Sequence, residues 1–442
     1  MDLFKKLSIL VLAVWLGALA AVADSQPNII IIVADDLGYA DLNCQGQKDI
    51  STPHLDALAQ SGVFCTSGYV TAPVCSPARA GFLTGRYQQR FGHEFNPQKN
   101  EDGTFGLPLA EKTMANYLKE AGYRTGLVGK WHLGNGEKYH PQQRGFDEFF
   151  GFLGGAHGYY DNARLPSNRM MRGTNVLVEK EYLTDAFERE AVSFIERNQK
   201  KPFFLYLAFN AVHTPMDTTP EDEKRFPEIK DPMRRKLAAM LVTMDDAVGA
   251  VTRKLESTGL RDNTLIFFIS DNGGPTAANA SRNDPLRGAK GKVLEGGVRV
   301  PFIVSWPKQL PQGKTYDHPI SALDFLPTAM AAAGKPLQKS APIDGVNLLP
   351  YLSGKKKGAP HEFLFWRFGT QWAVRSGDWK LEADEEGTRH LYNLKRDISE
   401  SKDLLEKEPA IAKKLQAAYD KWNAELSKPL WGRAVTSFGE RK

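Results

Sequence analysis

Two pairs of oxygen-bearing residues, Asp35-Asp36 and Asp271-Asn272, each close a strongly apolar run, residues 28–34 and 265–269. One such pair alone reads as a solvated turn; two in one chain point to a shared task. Three carboxylates held close together repel one another and resist ionisation, whereas a hard divalent cation turns the same set into an oxygen cage. The donors are all oxygen, which favours calcium, with magnesium as the alternative, over zinc.

Other polar residues fall at equivalent places. Gly129-Lys130-Trp131-His132 follows the run 124–128, and His213 comes just after 203–209. In open α/β sheets, ligands bind outside the carboxyl ends of the strands. Four such runs would therefore deliver carboxylates, an amide, a lysine and two histidines to one edge. Taken singly, a lysine is more often a surface charge and a histidine a satisfied structural residue. Their common position is what argues for chemistry. Cys75 stands in Pro73-Val74-Cys75-Ser76-Pro77-Ala78-Arg79. A cysteine entering a helix is either a structural thiol or a nucleophile activated by the helix N-terminus.

That segment, running on into Ala80-Gly81-Phe82-Leu83-Thr84-Gly85-Arg86, resembles the signature of the type I sulfatases. In that family, cysteine, proline and arginine at this spacing direct oxidation of the cysteine to formylglycine. Residues 122–132 resemble a second shared block and residues 288–301 a third, and the resemblance extends from about residue 27 to Leu404. It implies an alkaline-phosphatase-like sulfatase fold and hydrolysis of sulfate esters, those of sulfated carbohydrates above all. It implies metal ligation by Asp35, Asp36, Asp271 and Asn272, with modified Cys75 completing the sphere. Arg79 and Lys130 resemble the cations that hold formylglycine, His132 the base that collapses the intermediate, His213 a sulfate-oxygen ligand, and Lys290 the lysine near the leaving oxygen. His157, in Gly154-Gly155-Ala156-His157-Gly158, is open between a substrate contact and loop packing. A formylglycine-generating enzyme is the implied maturation partner.

Two other readings compete: a phosphonate monoester or phosphodiester hydrolase of the same superfamily, and a catalytically silent sulfoglycan-binding protein. The joint presence of all three blocks favours the sulfatase, and a binding protein has no need of His132 as a base.

The elements that must position these residues form an α/β pattern. Strand-like runs at 28–34, 124–128, 203–209, 265–269 and 300–304 alternate with helical patterns near 53–61, 109–118 and 233–255, which predicts a large, mostly parallel sheet flanked by helices. Continuous apolarity suits strands covered on both faces. After about residue 335, shorter runs at 363–368, 372–375, 379–381 and 390–392 predict an antiparallel sheet, followed by a helix at 409–426. The organisation expected is a catalytic domain over 24–335 and a C-terminal α+β subdomain over 336–442. Trp366 and Trp372 are open between stacking on sugars and core packing.

Composition bounds the setting. Lys5 and Lys6, an apolar run over 9–22 and Ala21-Val22-Ala23 read as a secretory signal over residues 1–23. The chain is thus expected to be exported, periplasmic or secreted, with no stable membrane insertion. The net charge of +5, lowered by one on removal of that segment, is too small to argue for nucleic acid. Three cysteines make a poor disulfide framework for 442 residues; Cys44 and Cys65 allow one bridge at most, and Cys65 reads as a small buried apolar residue.

Overall fold

The computed structural model describes residues 26–97, 103–160, 168–338 and 340–432. The expected export signal, residues 1–23, lies outside them. No helix of the described residues is long and apolar enough to cross a membrane.

The apolar runs are explained by how their side chains divide. In the strand Asn28–Ala34, Ile29, Ile31 and Val33 belong to one core, while Ile30, Ile32 and Ala34 belong to another. Phe203–Ala208 and Thr264–Ser270 divide in the same way. Alternate residues of a strand face opposite sides, and here helices cover both sides, so both registers are apolar apart from polar groups that find a hydrogen-bond partner. Each fully buried Ile, Leu or Phe stabilises the fold by about 1.5–3 kcal/mol relative to exposure.

Among the described residues the large sheet has ten strands. Its centre runs Thr264–Ser270, Asn28–Ala34, Phe203–Ala208, Arg124–Lys130, Glu148–Phe152, all parallel. Phe302–Ser305 extends it antiparallel beside Thr264–Ser270. The carboxyl ends of these parallel strands therefore share one edge. A separate antiparallel sheet of Leu364–Phe368, Gln371–Ser376, Trp379–Ala383 and Arg389–Asn393 packs against the helix Pro409–Asn423.

Several local expectations shift. The helix anticipated from residue 109 starts at Met114, because Thr113 and Asn116 form a reciprocal capping box there. Thr52 precedes the helix Pro53–Gln60 without capping it by its side chain. The cap comes instead from Asp245 of the long helix Pro232–Ser257, which accepts from His54 N at 3.0 Å and Leu55 N at 2.7 Å. Trp366 is fully buried, its Nε1 donating to Val70 O at 2.7 Å, and Trp372 stacks on Tyr419 with centroids 4.1 Å apart. Both rings are engaged in packing. All three cysteines are free thiols, and Cys65 is buried in the core.

Candidate active site

The strand ends are stitched together before any side chain acts. Asp35 N donates to Ala211 O at 2.9 Å, Val212 N to Asp35 O at 2.7 Å, and Asp271 N to Ala34 O at 3.0 Å. Asp36 takes a left-handed backbone, φ 62°, which turns its carboxylate back toward the cluster. Lys130 ends its strand directly after Gly129, whose φ is 112° and where a Cβ would stand 1.9 Å from Ala208 O. Only glycine allows that approach.

Cys75 is the first residue of the helix Cys75–Thr84, every residue of which is buried. Its Sγ donates to Asp35 Oδ1 at 3.6 Å. Arg79, one turn later on the same helix face, reaches beneath it. Its Nε donates to Asp271 Oδ2 at 2.9 Å, and its Nη2 lies 2.8 Å from that oxygen and 3.6 Å from Asp35 Oδ2. Lys130 Nζ donates to Asp35 Oδ2, and Lys290 Nζ sits 2.6 Å from Asp36 Oδ1. His213 Nε2 is 3.6 Å from Asp36 Oδ2.

Asp35, Asp36 and Asp271 are thus matched one for one by Arg79, Lys130 and Lys290, as buried charge requires. Burial opposes ionisation of Asp35, yet Lys130, His213 and Arg79 hold its carboxyl below the usual range. Burial, and then the Asp271 carboxylate, push the Cys75 thiol up to about 12, so it is not a thiolate at neutral pH. Burial also keeps the His132 imidazole well below its ordinary value, reinforced by Lys130, Arg79 and Lys290. His132 is therefore a neutral ring, and its Nδ1 is buried without a partner.

The donor set fits a hard divalent cation. The ligand atoms of Asp35, Asp36, Cys75 and His213 lie within 4.8 Å of one another. Asn272 Nδ2 donates to Asp36 Oδ1 at 2.7 Å, which leaves Asn272 Oδ1 a buried acceptor with no donor. An unsatisfied carbonyl oxygen beside three carboxylates is what an oxygen-preferring ion takes.

The structure brings together Asp35, Asp36, Cys75, Arg79, Lys130, His213, Asp271, Asn272 and Lys290. His132 joins them through its backbone, which follows Lys130, and its ring is admitted by Gly155, where a Cβ would lie 2.5 Å from Nε2. His157 is packed in its loop, Nδ1 on Gly158 O at 2.7 Å and the ring 5.1 Å from that of Phe152.

Three participants escape sequence reasoning. Tyr206 OH accepts from Arg79 Nη1 at 3.3 Å, Asn279 Nδ2 donates to Asp36 O at 3.2 Å, and His93 reaches Ser76 Oγ at 2.7 Å. An acceptor on that strand's helix-facing side was the only available signal for Tyr206; the other two carry none in spacing.

Comparison with known proteins agrees with this geometry. The Sulfatase family profile matches residues 27–335, and that of the N-sulphoglucosamine sulphohydrolase C-terminal region matches residues 289–425. The chain is 34% identical over 389 residues to N-acetylgalactosamine-6-sulfatase of Mus musculus, covering 83% of this chain and 73% of that protein. It is 33% identical over 394 residues to the sulfatase YdeN of Escherichia coli K12, covering 77% and 68%. The crystal structure of Ps i-CgsB in complex with k-i-k-neocarrahexaose superposes with a TM-score of 0.89 at 37% identity, covering 94% of this chain and 96% of that one. Fold, cluster and relatives together make the chain a member of the sulfatase family, a sulfuric ester hydrolase.

Proposed function

We propose that this sulfatase removes sulfate from a sulfated carbohydrate, with residue 75 acting as formylglycine. The observation that carries the reading is Cys75 at the head of a buried helix, against Asp35, inside a charge-balanced cluster of three carboxylates and three cations. A thiol raised to about 12 is a poor nucleophile there. The relatives support the substrate class, one named for a sulfated amino sugar and one crystallised with a neocarrahexaose.

Asp35, Asp36, Asp271, Asn272 and residue 75 would hold calcium, with magnesium as the alternative. When bound, such an ion cancels charge on the sulfate oxygens and makes sulfur attackable. Oxidation of Cys75 to the aldehyde, hydrated to a diol, supplies two hydroxyls on one carbon. One attacks sulfur as the bond from sulfur to the substrate oxygen breaks, and the alcohol leaves with a proton supplied by a neighbouring histidine or lysine; deprotonation of the other hydroxyl then breaks the bond between residue 75 and sulfate, expels sulfate and restores the aldehyde.

The remaining residues divide the work. Arg79 and Lys130 orient residue 75 and offset the negative charge that develops beside it. His213 contacts a sulfate oxygen, and Lys290 stands by the leaving oxygen. His132, neutral and with a free Nδ1, takes the proton of the second hydroxyl. A serine in position 75 lacks that second step. In the same reading residues 24–335 are the catalytic domain and 336–442 the C-terminal subdomain. Residues 1–23 direct export and are then removed, and a formylglycine-generating enzyme matures the chain.

The test is mass spectrometry of the Cys75 peptide beside turnover of a sulfate monoester and a phosphate diester. An aldehyde at residue 75 and preference for the sulfate ester are expected. An active preparation holding only thiol overturns the nucleophile; preference for the diester overturns the substrate class.

A further inference from the structure

A cavity of about 870 Å³ opens on the same edge of the sheet as the carboxylate cluster. Its three lining segments, at 48–51, 225–234 and 276–282, each lie beyond the carboxyl end of a central strand, Asn28–Ala34, Phe203–Ala208 and Thr264–Ser270. Its volume is in the range of about 300–1,000 Å³ usual for ligand sites.

The cavity is tied to the catalytic turn. Asn279, buried between its lining residues Thr276 and Ala280, donates Nδ2 to Asp36 O at 3.2 Å and to Val212 O at 3.1 Å. Ala40 N donates to Arg282 O at 2.8 Å. Both Thr276 and Ala280 have positive φ, 22° and 58°, in a short loop that glycine does not relieve. Strain of that kind is retained where the surroundings hold a surface in a required shape.

Charge distinguishes the lining. Arg234 is neutralised by Asp41 and Asp49, Arg282 shares Asp49, and the Asp231 carboxylate caps the helix Pro232–Ser257. Arg225 is shared with Asp222 and Asp246. Lys48 and Lys230 are exposed, and among the described residues neither meets a carboxylate; Lys230 Nζ touches only Pro227 O, at 3.3 Å. Against them stands Glu228, so the lining carries five cations and three carboxylates. Half-buried Phe226 and Ile229 add an apolar floor of the sort a sugar face covers.

We infer that this cavity is a subsite for a second anionic unit of the glycan chain, engaged by Lys48 and Lys230 while another unit presents its sulfate to residue 75. The inference rests on the carbohydrate-sulfatase reading and adds that the enzyme prefers a multiply sulfated oligosaccharide to a single sulfated sugar. Two exposed ammonium groups act over a Debye length, so the preference weakens as salt rises.

The experiment compares wild type with K48E/K230E, both matured, on k-i-k-neocarrahexaose, chondroitin 6-sulfate hexasaccharide and 4-nitrophenyl sulfate. For the better hexasaccharide KM is expected to rise roughly five- to tenfold at unchanged kcat, with a flatter salt dependence, while the aryl ester is unaffected. Calorimetric titration into the Cys75→Ala forms reads binding without turnover. Charge-dependent binding with no cleavage of any ester by wild type sinks the catalytic reading and leaves the subsite standing. An unchanged KM, an equal loss on the aryl ester, or hexasaccharides bound by wild type no better than their monosulfated units overturns the subsite.

Discussion

The Ser76 hydroxyl donates to the backbone carbonyl of His132 at 2.6 Å, and His93 Nε2 lies 2.7 Å from the same hydroxyl. A serine hydroxyl has one proton, and it is committed to the carbonyl. His93 Nε2 must then be the donor, which leaves its buried Nδ1 a bare lone pair. Burial lowers the His93 imidazole to about 3, so this tautomer persists across the working range. His132 itself has φ 59°, a conformation that costs about 1–3 kcal/mol in a residue with a side chain. Ser76 and His93 therefore hold a strained backbone in place directly beneath the proposed base. Ser76→Ala, normalised to the fraction of residue 75 matured, lowers turnover roughly 10–100-fold, the scale of a misplaced catalytic group. Wild-type turnover per matured site would show that the contact does not position His132.

The central strands were legible because both faces are buried and their apolar runs are unbroken. Glu148–Phe152 and Val63–Cys65 were not read as strands; the second spans only three residues. The helix Pro53–Gln60 starts where its proline places it, but its cap comes from Asp245, and no local pattern encodes an acceptor 190 residues away. The cluster around Cys75 was traceable because each member follows a strand or stands in a motif. Tyr206 was hidden within an apolar run in which an aromatic reads as core, and His93 acts only through a contact made by folding.

Chelation is expected to abolish sulfate release, and added calcium to restore it. Arg79, Lys130 and Lys290 already balance the three carboxylates, so the protein without metal remains folded and loses only the linkage contribution, about 2.7 kcal/mol at a hundredfold excess over Kd. Thermal unfolding with and without chelator reads the shift. Full activity after exhaustive chelation, with no metal by elemental analysis, removes the metal from the reading.

The C-terminal sheet is joined to the segment after Lys290 by a buried network. Lys380 Nζ lies 2.9 Å from Glu295 Oε1 and 2.8 Å from Glu400 Oε1, and Glu295 N donates to Glu400 Oε2 at 2.8 Å. Burial raises Glu400 to about 7, while Lys380 and the nearby Arg375 and Arg299 overcome the burial of Glu295 and hold it at about 2. Lys380→Met removes the cation that the two buried carboxylates share and leaves Glu400 without one, and breaking a buried pair in this way costs about 3–5 kcal/mol. A Tm within a degree of wild type contradicts the assignment.

His361 supplies a pH signature remote from the site. Burial disfavours its charged form, yet Asp324, 2.8 Å from Nε2, raises its pKa above the ordinary 6.5. A raised folded-state pKa means that this stabilisation is fully present below about pH 6.5 and is lost as pH rises through the folded value. The Tm advantage of wild type over His361→Gln is therefore largest in mild acid and shrinks above neutrality. A constant or growing difference on the alkaline side reverses the sign and excludes the ion pair.

His132 is assigned to release of sulfate and not to attack on it. Its neutral ring and unpartnered Nδ1 suit a base, and its backbone follows Lys130 at the carboxyl end of the strand. A base required only for the second step leaves the first intact. His132→Ala then accumulates a covalent sulfate on residue 75, visible as added mass, while steady turnover falls roughly 10²–10⁴-fold, the usual range for general acid-base catalysis. A burst of released alcohol precedes the slow phase. His213→Ala and Lys290→Ala remove groups assigned to the sulfate and the leaving oxygen, so they slow formation of the adduct and give no burst. If His132→Ala shows neither adduct nor burst while one of those two variants accumulates sulfated enzyme, the roles are exchanged, and the histidine belongs to the first half of the reaction.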